Sequence, residues 1–138
     1  MRGDRLVLDT HVWKSYVEGA RLSASVVKRI DAARTNGSLF IAAISVWEIA
    51  MLASKGHIKL NGPTLQWVSQ AVQGSGVTVH PLEPSVAVDS AELPVFHGDP
   101  ADRMIVSTAR QLAARLVTRD LKILEWAERT KSVRVLEP

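Results

Sequence analysis

Arg5-Leu-Val-Leu8 is too short and too continuously apolar to be an amphipathic helix, and so is Leu39-Phe-Ile-Ala-Ala-Ile44. Runs that are apolar without alternation suit strands buried on both faces, as in a parallel sheet. Val77-Thr-Val-His80, Leu116-Val-Thr118 and Val133-Arg-Val-Leu136 read as three further strands, with Pro81 barring continuation of the first of them. The segments between carry helical signals. His11 to Glu18 is stopped by Gly19. Ser23 caps a stretch to Arg34 that places Val26, Val27, Ile30 and Ala33 on one stripe, and Asn36-Gly37 closes it. Ser45 opens a helix whose Val46, Trp47, Ile49, Ala50 and Leu52 imply burial on more than one side, with Gly56 behind it. Leu65–Gln73 and Ser85–Leu93 form two more helices. A strong one starts at Asp99-Pro100, where proline suits the first helical position. Its stripe is Met104, Ile105, Thr108, Ala109 and Leu112, and a last helix covers Leu121–Arg129. Strands alternating with helices at short intervals predict one α/β domain over residues 1–138, with a parallel sheet covered on both faces.

Composition narrows the chemistry. At 138 residues, 46% hydrophobic and 22% charged, the chain fits a globular domain with one core. No apolar run approaches the roughly 20 residues that span a bilayer, and the start, Met-Arg-Gly-Asp, lacks the apolar stretch of a secretory signal. A cytoplasmic protein with no membrane partner is the expectation. The absence of cysteine excludes disulfides, thiolate metal sites and cysteine nucleophiles. Seventeen Lys/Arg against fourteen Asp/Glu gives a net charge of +3, a mild lean toward a polyanionic partner.

In open parallel sheets, ligands collect beyond the carboxyl ends of the strands. Asp9 follows the first strand, Glu48 lies one turn into the helix after the second, Asp99 and Asp102 open the helix leading to the fourth, and Asp120 follows that strand. Each acid has a local explanation. Ser45-Val-Trp-Glu48 fits a capping box, Asp99 an N-cap, Asp102 a charge in a helix's first turn, and Asp9 and Asp120 caps of the helices that follow them. Right-handed crossovers would nevertheless bring all five to one rim, where they would raise one another's pKa values. A hard divalent cation relieves such crowding, and an all-oxygen carboxylate set suits Mg²⁺ or Mn²⁺. Such an ion can activate water and neutralise charge on a phosphate. Thr118 adds a hydroxyl able to orient a carboxylate or a water.

Leu6-Val-Leu-Asp-Thr-His-Val-Trp13, Ile44-Ser-Val-Trp-Glu-Ile-Ala50, Asp99-Pro-Ala-Asp-Arg-Met-Ile105 and Leu116-Val-Thr-Arg-Asp120 resemble, in order and spacing, the matching blocks of PIN-domain ribonucleases, and within these the VapC-type toxins of toxin–antitoxin pairs. The resemblance implies a three-layer α/β/α domain with a five-stranded parallel sheet and a metal-dependent endoribonuclease using Mg²⁺ or Mn²⁺. It makes Asp9, Glu48, Asp102 and Asp120 the acidic quartet, with Asp9 and Asp102 as principal ligands. Glu48 and Asp120 would complete the shell, directly or through water. Asp99 becomes a supporting residue, and Arg103 is open to pairing with an acid or contacting phosphate. The family often carries an aromatic at the position of Ala101 and a small residue at that of Arg119, departures that bear on specificity. A cognate antitoxin and a homodimer are the implied protein partners, besides the RNA substrate.

Other residues have plainer readings. His11, His57, His80 and His97 lack paired ligand spacing and read as structural or surface residues, with His11 nearest the site. Trp13, Trp47, Trp67 and Trp126 fall in helical patterns and read as core or interface, Trp13 being the one placed to stack a base. Arg119, Lys122 and Lys14 are the cations expected near the phosphate backbone. Four other readings are weighed beside the toxin nuclease. One is a PIN nuclease outside any toxin–antitoxin pair, and another a silent RNA- or protein-binding module. A phosphoacceptor domain lacks its Asp after the third strand and its Lys after the fifth, and a D-x-D phosphatase is excluded by Asp9-Thr10-His11.

Overall fold

The computed structural model describes residues 4–138; Met1–Gly3, which open both the 1–138 span and the leader reading, lie outside the described residues. The chain runs β1 (Leu6–Leu8), α1 (Thr10–Glu18), α2 (Ala24–Thr35), β2 (Leu39–Ala42), α3 (Ala43–Ser54), α4 (Thr64–Ser75), β3 (Thr78–His80), α5 (Pro84–Glu92), α6 (Pro100–Gln111), β4 (Arg115–Val117), α7 (Leu121–Thr130) and β5 (Val135–Leu136). The five strands form one sheet in the order β3-β2-β1-β4-β5, and every pairing is parallel.

Strand alternation separates two cores. Leu6, Leu8, Leu39, Ile41 and Val117 face a cluster with Val12 and Trp13 of α1, Val26, Ile30 and Ala33 of α2, and Val68 and Ala71 of α4. Val7, Ala42 and Leu116 point the other way, onto Ile105, Val106 and Ala109 of α6 and Ile123, Trp126 and Ala127 of α7. A sheet buried on both faces explains why β1 reads as a continuous apolar run. The result is the expected three-layer α/β/α arrangement.

Several boundaries move, and one of them changes a residue's role. The apolar run from Leu39 was expected to stay extended to Ile44, but the strand ends at Ala42 and α3 begins at Ala43. A short apolar run does not distinguish a strand from the first turn of a buried helix. Ser45 is therefore inside the helix, Ala42 is its N-cap without a side-chain bond, and the Ser45–Glu48 capping box does not form. Elsewhere caps fall as expected: Ser23 Oγ accepts from Val26 N at 3.3 Å. Gly19 ends α1 with a left-handed φ of 67°. The helix α4 passes through Gly74 and ends at Gly76, whose φ is 71°. Val133 and Arg134 fall outside β5. Among the described residues no helix is long and apolar enough to cross a membrane.

Candidate active site

The strand order places β1 at the point where the connections change direction: β2 and β3 lie on one side of it, β4 and β5 on the other. Such a switch leaves a crevice beyond the carboxyl ends of the central strands. A cleft of about 590 Å³ opens there, lined by Asp9, Glu48, Asp99, Asp102 and Asp120, with His11, Lys14, Arg21 and Arg119 among its cationic or titratable neighbours. Five carboxylates from four separate chain segments thus share one cavity.

Asp9 is almost fully buried, 7% exposed. Its Oδ1 accepts from Thr10 N at 2.8 Å and its Oδ2 accepts from Thr118 Oγ1 at 2.7 Å. The same Thr118 oxygen accepts from Asp120 N at 3.0 Å, so a single hydroxyl ties the end of β1 to the start of α7. Asp120 caps α7, its Oδ1 accepting from Ile123 N at 3.1 Å. Asp99 caps α6 in the same manner, accepting from Asp102 N at 3.1 Å. Capping and cleft lining are therefore compatible at these positions, because a cap bond occupies one carboxylate oxygen and leaves the other toward solvent. Glu48 accepts from Thr10 Oγ1, which also shares a 2.9 Å hydrogen bond with the buried Ser45 Oγ. In place of a capping box, Ser45 and Glu48 meet the buried Thr10, the first residue of α1.

Burial and crowding act on protonation. Burial raises the Asp9 pKa, opposed by the bonds from Thr118 and Thr10 and by nearby His11, and reinforced by Asp120. Burial likewise raises Glu48, opposed by the Thr10 bond and reinforced by repulsion from Asp9 and Asp99. Asp102 is pushed up to about 6, chiefly by burial, with repulsion from Asp99, Asp9 and Asp120 adding to it and the His97 bond opposing. Three carboxylates that resist ionisation in one cavity form a site hungry for positive charge. Among the described residues no three carboxylate or imidazole groups close into a preformed metal cage. An open carboxylate wall is still chemically suited to Mg²⁺, which keeps several waters and is commonly held by one or two carboxylates.

The outer residues divide. Arg119 is exposed on the cleft, and Lys14 lines it while pairing with Glu18 at 2.9 Å. Lys122 stands outside, in a separate hollow of about 340 Å³ with Phe96, His97 and Arg129. A stacking role for Trp13 fails: its side chain is 0% exposed, and its indole donates to Ser75 Oγ at 3.1 Å. Trp47 is 56% exposed on α3, whereas Trp126 is buried. Arg103 is half-buried and, among the described residues, bonds carbonyls rather than an acid. Its Nε, Nη1 and Nη2 donate to the carbonyls of His97, Ser90 and Phe96 at 3.1, 3.0 and 2.9 Å.

Two contributors had no sequence signal. Arg21, in the α1–α2 loop, lines the cleft with a φ of 62°, a left-handed conformation uncommon for arginine. His97 Nε2 lies 2.8 Å from Asp102 Oδ2, a pair five residues apart that fits no helical or strand spacing. His11 lines the cleft, while His57 and His80 do not.

A profile of the PIN domain matches residues 6–128. Ribonuclease VapC22 of Mycobacterium tuberculosis is 40% identical over 121 residues, covering 86% of this chain and 88% of the relative. Among solved structures, VapBC2 of Rickettsia felis bound to a promoter DNA fragment aligns with a TM-score of 0.68 at 18% identity, over 96% of this chain and 98% of that one. DNA-bound VapBC of Salmonella typhimurium aligns with a TM-score of 0.65 at 21% identity, over 96% and 97%. At these identities the two structures speak for the fold.

Proposed function

The chain belongs to the PIN-domain family, among its VapC-type members, and on that premise we propose that it is a divalent-metal-dependent endoribonuclease serving as the toxin of a toxin–antitoxin pair. The observation that carries the reading is the convergence of Asp9, Glu48, Asp99, Asp102 and Asp120 on one cleft, three of them with proton affinity raised by burial. The 40% identical relative is itself a ribonuclease.

In this reading Asp9 and Asp102 hold Mg²⁺ or Mn²⁺, and Glu48 and Asp120 complete the set directly or through water. The ion, when bound, supplies an activated water and charge neutralisation at the phosphodiester. The chain's own work is to keep the carboxylates in register. Thr118 and the Thr10 N–H clamp Asp9, leaving each oxygen a second lone pair for the cleft. Thr10 Oγ1 steadies Glu48. Arg21 and Arg119 offer positive charge at the rim, where the phosphates of an RNA strand would run. The reading takes 1–138 as one domain in the cytoplasm. It includes a small antitoxin as partner and a homodimer formed through the α3–α4 face, where Trp47 and Leu65 are 56% and 78% exposed.

The test is incubation of the purified protein with total RNA in Mn²⁺ or in EDTA, with mapping of new 5′ ends. Wild type should produce discrete ends in Mn²⁺ and none in EDTA. Asp9→Asn and Asp102→Asn should lose at least about 100-fold in rate while melting as folded proteins, since each loses an anionic ligand for the ion that would activate water and offset charge at the phosphate. Full activity in both variants overturns the reading. For the toxin role, expression should arrest growth, and co-expression of the protein encoded by an abutting short reading frame should relieve the arrest.

A further inference from the structure

His97 read as an ordinary histidine in sequence, yet its surroundings are built around one contact. The ring stacks on Phe96 with centroids 4.2 Å apart and planes 26° from parallel. Phe96 in turn meets Trp126 edge-on at 4.8 Å and lies under the Arg103 guanidinium at 5.5 Å. Trp126 Nε1 donates to Pro94 O at 2.7 Å, and Arg103 donates to the carbonyls of Ser90, Phe96 and His97. Pro94, Phe96 and His97 of the 93–98 loop are thereby tied to α6 or α7. The loop also carries Val95 at a φ of 52°, a conformation that costs a β-branched residue energy and persists only where its surroundings enforce it. The enforced result is the 2.8 Å contact between His97 Nε2 and Asp102 Oδ2.

We propose that His97 is a positioning residue for Asp102: its Nε2–H engages Oδ2, fixes the rotation of the carboxylate, and leaves Oδ1 to serve the cleft. The inference rests on the metal-dependent reading above. The terminal torsion of an aspartate is broad and two-fold, so a carboxylate anchored through one oxygen presents the other in a narrower range of directions. Partners of this kind typically change metal affinity by 10–100-fold when removed. The placement also gives Arg103 its purpose. As the residue after Asp102 on α6, it holds the loop that delivers the imidazole and has no need to reach substrate.

The experiment compares wild type with His97→Phe, which keeps the ring stack and loses the donor, and His97→Gln, which keeps an N–H donor and loses the aromatic ring. Mn²⁺ affinity is read by titration calorimetry on RNA-free protein, alongside the Mn²⁺ dependence of RNA cleavage and thermal melts. His97→Phe should melt near wild type but bind Mn²⁺ at least about 10-fold more weakly, and it should need correspondingly more Mn²⁺ for half-maximal cleavage with an unchanged KM for RNA. His97→Gln should recover most of that affinity despite losing the stack. A Phe variant with wild-type Mn²⁺ affinity, or a Gln variant as weak as Phe, overturns the positioning role while leaving the nuclease reading intact. A wild type that neither binds Mn²⁺ nor cleaves RNA overturns both.

Discussion

At the scale of single residues, the molecule's tension is in its carboxylates. Asp102 has its pKa raised from 3.8 to about 6, so over that interval the folded state holds more protons than the unfolded chain. Stability contributed by the neutral form is complete below about pH 4 and is lost as the pH rises through 6. Asp102→Asn cannot ionise but can still accept from His97. In EDTA, the variant's stability advantage over wild type should therefore be near zero below pH 4, grow through pH 6 and then level off; urea denaturation across pH measures it. A gap independent of pH would mean that burial and crowding do not govern this group. Saturating Mn²⁺ should close the gap from the wild-type side above pH 6, because an ion bound to the folded state stabilises it by mass action.

At the scale of elements, the site is made where strands turn directly into helices. Asp9 lies between β1 and α1, and Asp120 heads α7 two residues beyond Thr118. These positions were legible, because an acid that follows an apolar run and precedes a helical stripe is visible in one dimension. The α3 start was not, since Ala43 and Ile44 are as apolar as the strand before them, and the capping box inferred at Ser45 dissolved with that boundary. What replaced it, the Ser45–Thr10–Glu48 link, joins residues 35 and 38 positions apart in the chain. Thr118 makes the corresponding link across 109 positions. Thr118→Val keeps the shape and removes the hydroxyl, leaving buried Asp9 Oδ2 without its donor and Asp120 N without its acceptor. A loss of about 1–3 kcal/mol in denaturant unfolding is expected, together with weaker Mn²⁺ binding. A variant as stable as wild type would show that this bridge is not what ties β1 to α7.

At the scale of the whole molecule, the charge is sorted by the sheet. The acids collect at the switch in strand order, and Arg21, Lys14 and Arg119 stand on the rim of the same cleft. The surface an RNA strand meets beside the acids is thus more basic than a net +3 conveys. In an Asp9→Asn background, which prevents cleavage, single-stranded RNA affinity should fall with salt. Arg21→Ala or Arg119→Ala should each reduce the slope of log affinity against log salt by about 0.7, the value of one single-strand phosphate contact. Lys122→Ala, in the separate hollow that His97 also lines, should leave the slope unchanged. A slope altered by Lys122 and not by Arg21 would move the RNA path to the other hollow.

By itself, the sequence determined the alternation of strands and helices, the two-sided burial of the sheet, the ends of most helices and the identity of the acids. All of these are local: periodicity, caps and turn residues act over a few positions and can be read from neighbours. Tertiary structure alone decided which side chains share a cavity. The order β3-β2-β1-β4-β5 brings Asp9 beside Asp120, sets Thr10 against Glu48 and turns Trp13 inward to Ser75. It also admits Arg21 to the cleft and swings a strained loop back so that His97 reaches Asp102. Those contacts depend on distances across the sheet and between packed layers, and separation along the chain carries no record of them.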